Sequence, residues 1–179
     1  MAKEHAAALK GMTLCGALSA AELETIAAIA ETQEIAAGKE LFREGDPGEG
    51  LYLLVSGEID VVKRGPRGER SLARLGAGAV LGEISLLTNE MRSATGRALV
   101  GSRVLRLPAP AFRALLVTNS SAALKIVGAI AEVLAHRLAT MNSKVLELAD
   151  KADSSGAALP GLKDKELAEL HRTMQVWSF

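Results

Sequence analysis

The chain has 179 residues, with 21 Lys plus Arg against 21 Asp plus Glu, so its formal net charge is zero. That length predicts one modest core with appendages, and the charge balance gives no overall pull toward nucleic acid or an anionic membrane surface. A single cysteine, Cys15, excludes an internal disulfide framework, a four-cysteine zinc site and an all-cysteine iron–sulfur cluster within one chain; a cytosolic, cytoplasmic setting is the simplest expectation.

The opening stretch, MAKEHAAALKGMTLCGALSAAELE, superficially resembles a signal sequence, but Glu4 and His5 precede its apolar run and Lys10 with Gly11 interrupts it. No uncharged segment approaches the roughly 18 to 20 apolar residues of a membrane-spanning helix. The nearest, residues 122–138, carries Lys125, Glu132, His136 and Arg137, so a soluble chain without a membrane partner is expected. Ser19 followed by Glu22 is a capping-box pattern that opens a helix over residues 20–31, with Leu23, Ile26, Ala27 and Ala30 on one face and Ile29 at its edge. From Glu34 to Leu107 the period changes to short Val/Leu/Ile-rich runs separated by glycine-bearing turns, the pattern of a barrel or roll of antiparallel strands. Pro108 begins a short turn and helix, PAPAFRALLVT. After it, Asn119, Ser120 or Ser121 can cap a longer helix running to about residue 150.

Along that long helix Leu124, Val127, Ala131, Leu134, Leu138, Met141, Val145 and Leu148 follow a 3-4-3-4-3-4-3 spacing, which keeps an apolar seam toward a partner helix. Ile126, Ile130 and Val133 form a second stripe expected to face a different neighbour, the strand core. Two apolar faces imply two contacts: self-association through the seam is favoured over one broad face buried against the chain's own domain. Residues 151–161, KADSSGAALPG, read as linker. The remaining segment carries a helical stripe of Leu162, Leu167, Leu170, Met174 and Trp177, which should dock on its own domain, a second subunit or another protein.

Enzyme constellations are thin. His5, His136 and His171 lie in separate segments and read as exposed or helix-surface residues; HExxH, Cys-His pairing and GxxxxGK[ST] are all missing, so no catalytic residue, metal or cofactor is expected. The stretch LGEISLLTNEMRSAT is different. Arg92 with Ser93 beside it can hold a phosphate, because a guanidinium offers two parallel donors to two phosphate oxygens. A short helical turn at GEISLL would add backbone N–H groups at the same place. Ionised Glu83 only accepts hydrogen bonds, so it suits a sugar hydroxyl rather than the phosphate. A nucleotide satisfies both residues, and a Glu83–Arg92 ion pair closing the loop is the alternative.

LFREGDPGEGLYLLVSGE followed by LGEISLLTNEMRSAT resembles the cyclic nucleotide-binding domain found in protein kinase A regulatory subunits, cyclic nucleotide-gated channels and the bacterial catabolite activator protein. The likeness covers the chain from the Ser19 helix to about residue 150. It rests on Gly45, Asp46, Gly48, the run Leu51 to Leu54 and Gly57 in the first motif. In the second it rests on Gly82, Glu83, Ser85, Leu86, Arg92, Ser93 and Ala94. The resemblance implies an α+β fold: an antiparallel, jelly-roll-like β-roll over about residues 32–107 with an N-terminal helix, a short cassette helix and the long helix over about 120–150. With a further short tail helix, the chain divides into a nucleotide-binding domain, 1–150, and a linker plus amphipathic helix, 151–179. Glu83 would take the ribose 2′-hydroxyl and Arg92 the cyclic phosphate. Gly82, Ile84, Ser85 and Ala94 complete the ligand-binding set, and Ser93 contributes to either the phosphate or the base. The Gly82 to Arg92 spacing resembles the kinase subunits more than the activator. Met91 replaces a frequent proline, and Gly96 stands where the exiting strand normally has an aliphatic residue, which predicts a bulge nearby.

The expected function is therefore a non-enzymatic receptor for cyclic AMP or cyclic GMP that signals by conformational change to an effector protein. A homodimer would form through Leu124, Val127, Leu134, Leu138, Met141, Val145 and Leu148. Residues 151–179 hold four Lys/Arg and four Asp/Glu and one short helix, so a DNA-binding helix-turn-helix is not expected. Trp177 or Phe179 is a candidate cap for the purine, although docking on the core is the favoured reading of that segment. The runner-up function is a nucleotide-free β-roll serving as a dimeric interaction module.

Overall fold

The computed structural model describes residues 2–66 and 68–155, those from 148 onward by backbone alone. Helix α1 (Ala2–Lys10), a 3-10 turn (Thr13–Cys15) and helix α2 (Ala20–Ile29) come first. Strands β1 (Glu31–Ile35), β2 (Glu40–Phe42), β3 (Gly50–Ser56), β4 (Glu58–Gly65), β5 (Gly68–Gly76) and β6 (Val80–Leu81) follow. Helix α3 (Glu83–Thr88) interrupts the strands before β7 (Thr95–Ala98) and β8 (Ser102–Pro108), and α4 (Ala109–Val117) and α5 (Ser121–Ser155) close the described chain. The strands pair antiparallel in two four-stranded sheets, β1-β8-β3-β6 and β2-β7-β4-β5, which is the α+β roll expected from the alternating pattern.

Burial explains the pattern. Ile35, Leu41, Tyr52, Leu54, Ile59, Leu81, Ala98 and Val104 form the roll's core. In β3 the alternate residues Leu51 and Leu53 are also fully buried, so this strand is apolar on both faces and reads as a continuous hydrophobic run. On β7 Gly96 and Ala98 are buried while Thr95 and Arg97 are half-buried. Arg97 makes two hydrogen bonds to the Glu69 carboxylate, at 2.8 and 3.0 Å, and a third to Glu40 at 3.2 Å, tying β7 to β5 and β2. The guanidinium holds the Glu69 carboxyl below the usual carboxylate range. The bulge expected near Gly96 lies on the facing strand: Glu40 pairs with Arg97 and Phe42 with Gly96, leaving Leu41 as the extra residue.

The capping box on α2 is formed. Ser19 Oγ accepts from the Glu22 amide at 3.3 Å, and Glu22 Oε2 accepts from the Ser19 amide at 2.7 Å. The same carboxylate accepts from Lys125 Nζ on α5 at 2.8 Å. The Lys125 hydrogen bond, followed by the Ser19 amide, lowers the Glu22 carboxyl from 4.5 to about 2. A depressed carboxyl stabilises the fold above its ordinary value and loses that contribution as pH falls through the folded value. Glu22→Gln, which keeps the capping geometry, is therefore expected to unfold at a lower temperature than the native chain at neutral pH. The gap should close as pH falls from 4.5 to about 2, checked by melting both proteins across that range.

Several boundaries differ from expectation. Helix α2 ends at Ile29 rather than at residue 31, because Ala30 is already extended (φ −76°, ψ 141°) and Glu31 pairs with Arg106 in β8. The signal-like start forms α1, whose His5 and Leu9 are buried and which packs on α2. His5 is thus not a surface histidine: its Nδ1 donates to the Ala27 carbonyl at 3.3 Å and its Nε2 pairs with the Thr32 hydroxyl at 2.9 Å. His136 is exposed as expected, and His171 lies outside the described residues. Burial pushes the Cys15 thiol up to about 11, leaving it unreactive at neutral pH.

On α5, Ala122, Ala123, Ile126 and Ile130 are buried, while Leu124 is 51% exposed. A compact unit ends at Ile130, and a second begins at Ala131 within the same helix. In that second stretch Leu138 and Met141 are 52% and 62% exposed. Helix α5 takes in Lys151–Ser155, which were expected as linker. The tail stripe lies outside the described residues. No single described helix is long and apolar enough to cross a membrane.

Candidate functional site

The two glycine-bearing motifs meet at Arg92. Its amide donates to the Asp46 carbonyl at 2.8 Å and its carbonyl accepts from the Gly45 amide at 2.9 Å, so the cassette exit is clipped to the GDPGEG turn. Its side chain then turns inward. The guanidinium donates through Nη1 to the Gly82 carbonyl at 3.2 Å and through Nη2 to the Gly50 carbonyl at 2.7 Å. The residue is only 3% exposed, and its buried Nε has no hydrogen-bond partner among the described residues. Burial is the largest influence on this group and pulls it below the ordinary guanidinium value; Tyr52, through charge and a side-chain hydrogen bond, and then the Glu49 and Glu83 carboxylates act in the opposite sense.

Helix α3 starts at the point where the guanidinium is anchored. Gly82, its N-cap, has φ +80°, in the left-handed region that side chains resist. A Cβ there would stand 2.0 Å from Arg92 Nη1 and 3.0 Å from the Gly50 carbonyl oxygen, so glycine is required both for the backbone and for the arginine's position. Gly48 approaches Ser85 so closely that a Cβ would lie 2.3 Å from the serine's own. At the far end, Arg113 of α4 donates to Asn89 Oδ1 at 2.8 Å.

The expected ligand residues thus fall into one region, with different exposures. Glu83, Ser85, Arg92 and Ala94 are buried, Gly82 is half-buried, and Ile84 and Ser93 are exposed. The guanidinium's terminal nitrogens donate to the two carbonyls, and the Glu83 carboxylate acts on it through charge. Trp177 and Phe179 lie outside the described residues. Among the described residues no cluster of His, Cys, Asp or Glu could hold a metal ion.

Sequence reasoning missed two participants. The Arg92 guanidinium carbon lies 4.5 Å from the centre of the Phe42 ring and 5.3 Å from that of Tyr52. The rings stack on each other at 5.7 Å. Beside them opens a cavity of about 150 Å³ lined by Phe42, Asp46, Glu49, Tyr52 and Arg92 among others. The available signal was scarcity: the chain has three Phe and one Tyr, and one of each converges on the arginine.

Residues 32–119 match the model of the cyclic nucleotide-binding domain. The fold matches the N-terminal domain of a transcriptional regulator from Streptomyces coelicolor A3(2) with 30% identity and a TM-score of 0.64, over 75% of this chain and 94% of that one. The chain belongs to the cyclic nucleotide-binding domain family. A cyclic nucleotide-binding domain from Methylobacillus flagellatus KT matches with 26% identity and a TM-score of 0.71, over 82% of this chain and 83% of that one. The cyclic AMP receptor protein of Thermus thermophilus is 35% identical over 100 residues, 55% of this chain. The match spans 46% of that relative, so this cyclic nucleotide-binding domain corresponds to less than half of its length.

Proposed function

We propose that the protein is a cyclic nucleotide receptor, with cyclic AMP as the first ligand to test because a cyclic AMP receptor protein is among its relatives. The observation that carries this is the state of Arg92. Its two terminal nitrogens are tied to backbone carbonyls and its buried Nε–H has no hydrogen-bond partner among the described residues. A buried unpaired donor is costly, and a phosphate oxygen is the acceptor that a buried cation best accommodates. Glu83, buried one residue after Gly82, supplies a carboxylate for the ribose 2′-hydroxyl. Ser85 and Ala94 line the cassette, while exposed Ile84 and Ser93 stand at its rim. Trp177 or Phe179 is retained as the proposed base cap.

Glu83→Gln tests the sugar assignment. The native protein is expected to prefer cyclic AMP over 2′-deoxy cyclic AMP by roughly tenfold, the value of one hydrogen bond to a charged group. In the variant that preference should largely vanish; an unchanged preference in competition binding would contradict the role given to Glu83.

Signalling is proposed to run through α5 to an effector protein, with a homodimer formed along Leu124, Val127, Leu134, Leu138, Met141, Val145 and Leu148. The exposed Leu124, Leu138 and Met141 support a second helix as their cover, since an a/d seam gains by pairing. Leu138→Glu is expected to convert the dimer to a monomer by light scattering. Coupling requires the nucleotide to bind one arrangement of the helix better than another.

A further inference from the structure

We infer that Phe42, in the space left by Gly96, is a positioning residue that holds the phosphate arginine in its binding geometry. This rests on the phosphate role of Arg92 proposed above. The two carbonyls at Gly82 and Gly50 fix the ends of the guanidinium but do not by themselves fix its plane. Aromatic faces supply that constraint. Phe42 stands 4.5 Å from the guanidinium carbon, and Tyr52 stacks on Phe42 with an interplanar angle of 26°, so the cation meets a braced aromatic pair. Attraction between a cation and an aromatic face strengthens when water is excluded, and Arg92 is 3% exposed.

Gly96 makes this arrangement possible. Phe42 pairs directly with Gly96 across β2 and β7, and a Cβ at position 96 would lie 3.2 Å from Phe42 Cζ and 3.4 Å from Cε1. A side chain at 96 would therefore crowd the ring and require it to shift by at least a few tenths of an ångström. The departure from the family pattern at Gly96 and the aromatic at Phe42 are therefore one feature: the strand gives up a side chain so that a ring can reach the arginine. An arginine already held in one conformation loses less freedom when a phosphate arrives, which raises affinity without a new contact to the ligand.

A merely space-filling role for Phe42 gives different results. The test measures cyclic AMP and cyclic GMP affinity and thermal unfolding for the native chain, Phe42→Leu, Gly96→Val and the double variant Phe42→Leu/Gly96→Val. The side-chain Nε–H proton of Arg92 is followed by NMR without nucleotide. Phe42→Leu is expected to weaken nucleotide binding roughly five- to thirtyfold and to move the Nε–H proton downfield as the ring current is lost. The double variant, which refills the space without a ring, should recover the unfolding midpoint but not the affinity. Recovery of affinity in the double variant, or native affinity in Phe42→Leu, overturns the positioning role and leaves the receptor function standing. Absence of binding by the native chain to either nucleotide overturns both.

Discussion

Arg92→Ala is expected to weaken cyclic nucleotide binding by at least tenfold and to lower the stability of the unliganded domain as well. The first effect follows from losing a charged hydrogen bond to phosphate, worth roughly 1.5 to 3 kcal/mol. The second arises because the guanidinium also satisfies the Gly82 and Gly50 carbonyls inside the fold. The Gly82 carbonyl keeps the Leu86 amide as a donor, so the loss falls chiefly on the buried hydrogen bond to Gly50, and losing it costs about 1 to 3 kcal/mol. Arg92→Lys separates the two effects: it keeps the charge but not the fork that reaches both carbonyls, so its affinity should fall while less of the stability is lost. Isothermal calorimetry and thermal unfolding of the two variants check this. Native affinity in Arg92→Lys would show that the ligand does not depend on the guanidinium's Nε–H.

Gly82→Ala is expected to abolish most binding although it removes no group that touches a ligand. Alanine at φ +80° costs roughly 1 to 2 kcal/mol in backbone conformation. Its methyl would also lie 2.0 Å from Arg92 Nη1, so the guanidinium must leave the Gly82 and Gly50 carbonyls for the methyl to fit. The loss of affinity should therefore match that of Arg92→Ala. The unfolding midpoint should fall by several degrees, as a 1 kcal/mol change does for a domain of this size. A variant that unfolds earlier yet binds normally would place the ligand away from the Arg92 side chain.

The residues that define the roll and the cassette were legible because they obey short-range rules. Alternating apolar runs between glycine turns specify antiparallel strands, and Ser19 with Glu22 specifies a helix start whatever surrounds it. The order GDPGEG, then LGEISLL, then MRSA marked out the region proposed for the ligand. What those residues did not reveal was how the motifs lock together. The Gly50 carbonyl beneath Arg92 and the approach of Gly48 to Ser85 depend on strands distant in sequence, and no local pattern encodes them. Phe42 was hidden for the same reason: in LFREG it reads as one more apolar strand residue, and only its pairing with Gly96 shows where the ring goes. The end of α2 at Ile29 and the burial of His5 are likewise tertiary outcomes, set by β1 pairing with β8 and by α1 packing on α2. In the long helix, the apolar seam could be read from spacing, and the exposure of Leu124, Leu138 and Met141 sharpens what covers it into a question of assembly.

The most direct measurement is a calorimetric titration of the native chain with cyclic AMP and, separately, with cyclic GMP. Saturable binding of at least one of them, one nucleotide per chain, is the predicted result, with the stronger ligand identifying the base. No binding heat and no thermal stabilisation with either nucleotide would contradict the receptor function and favour a nucleotide-free interaction module built on the same roll.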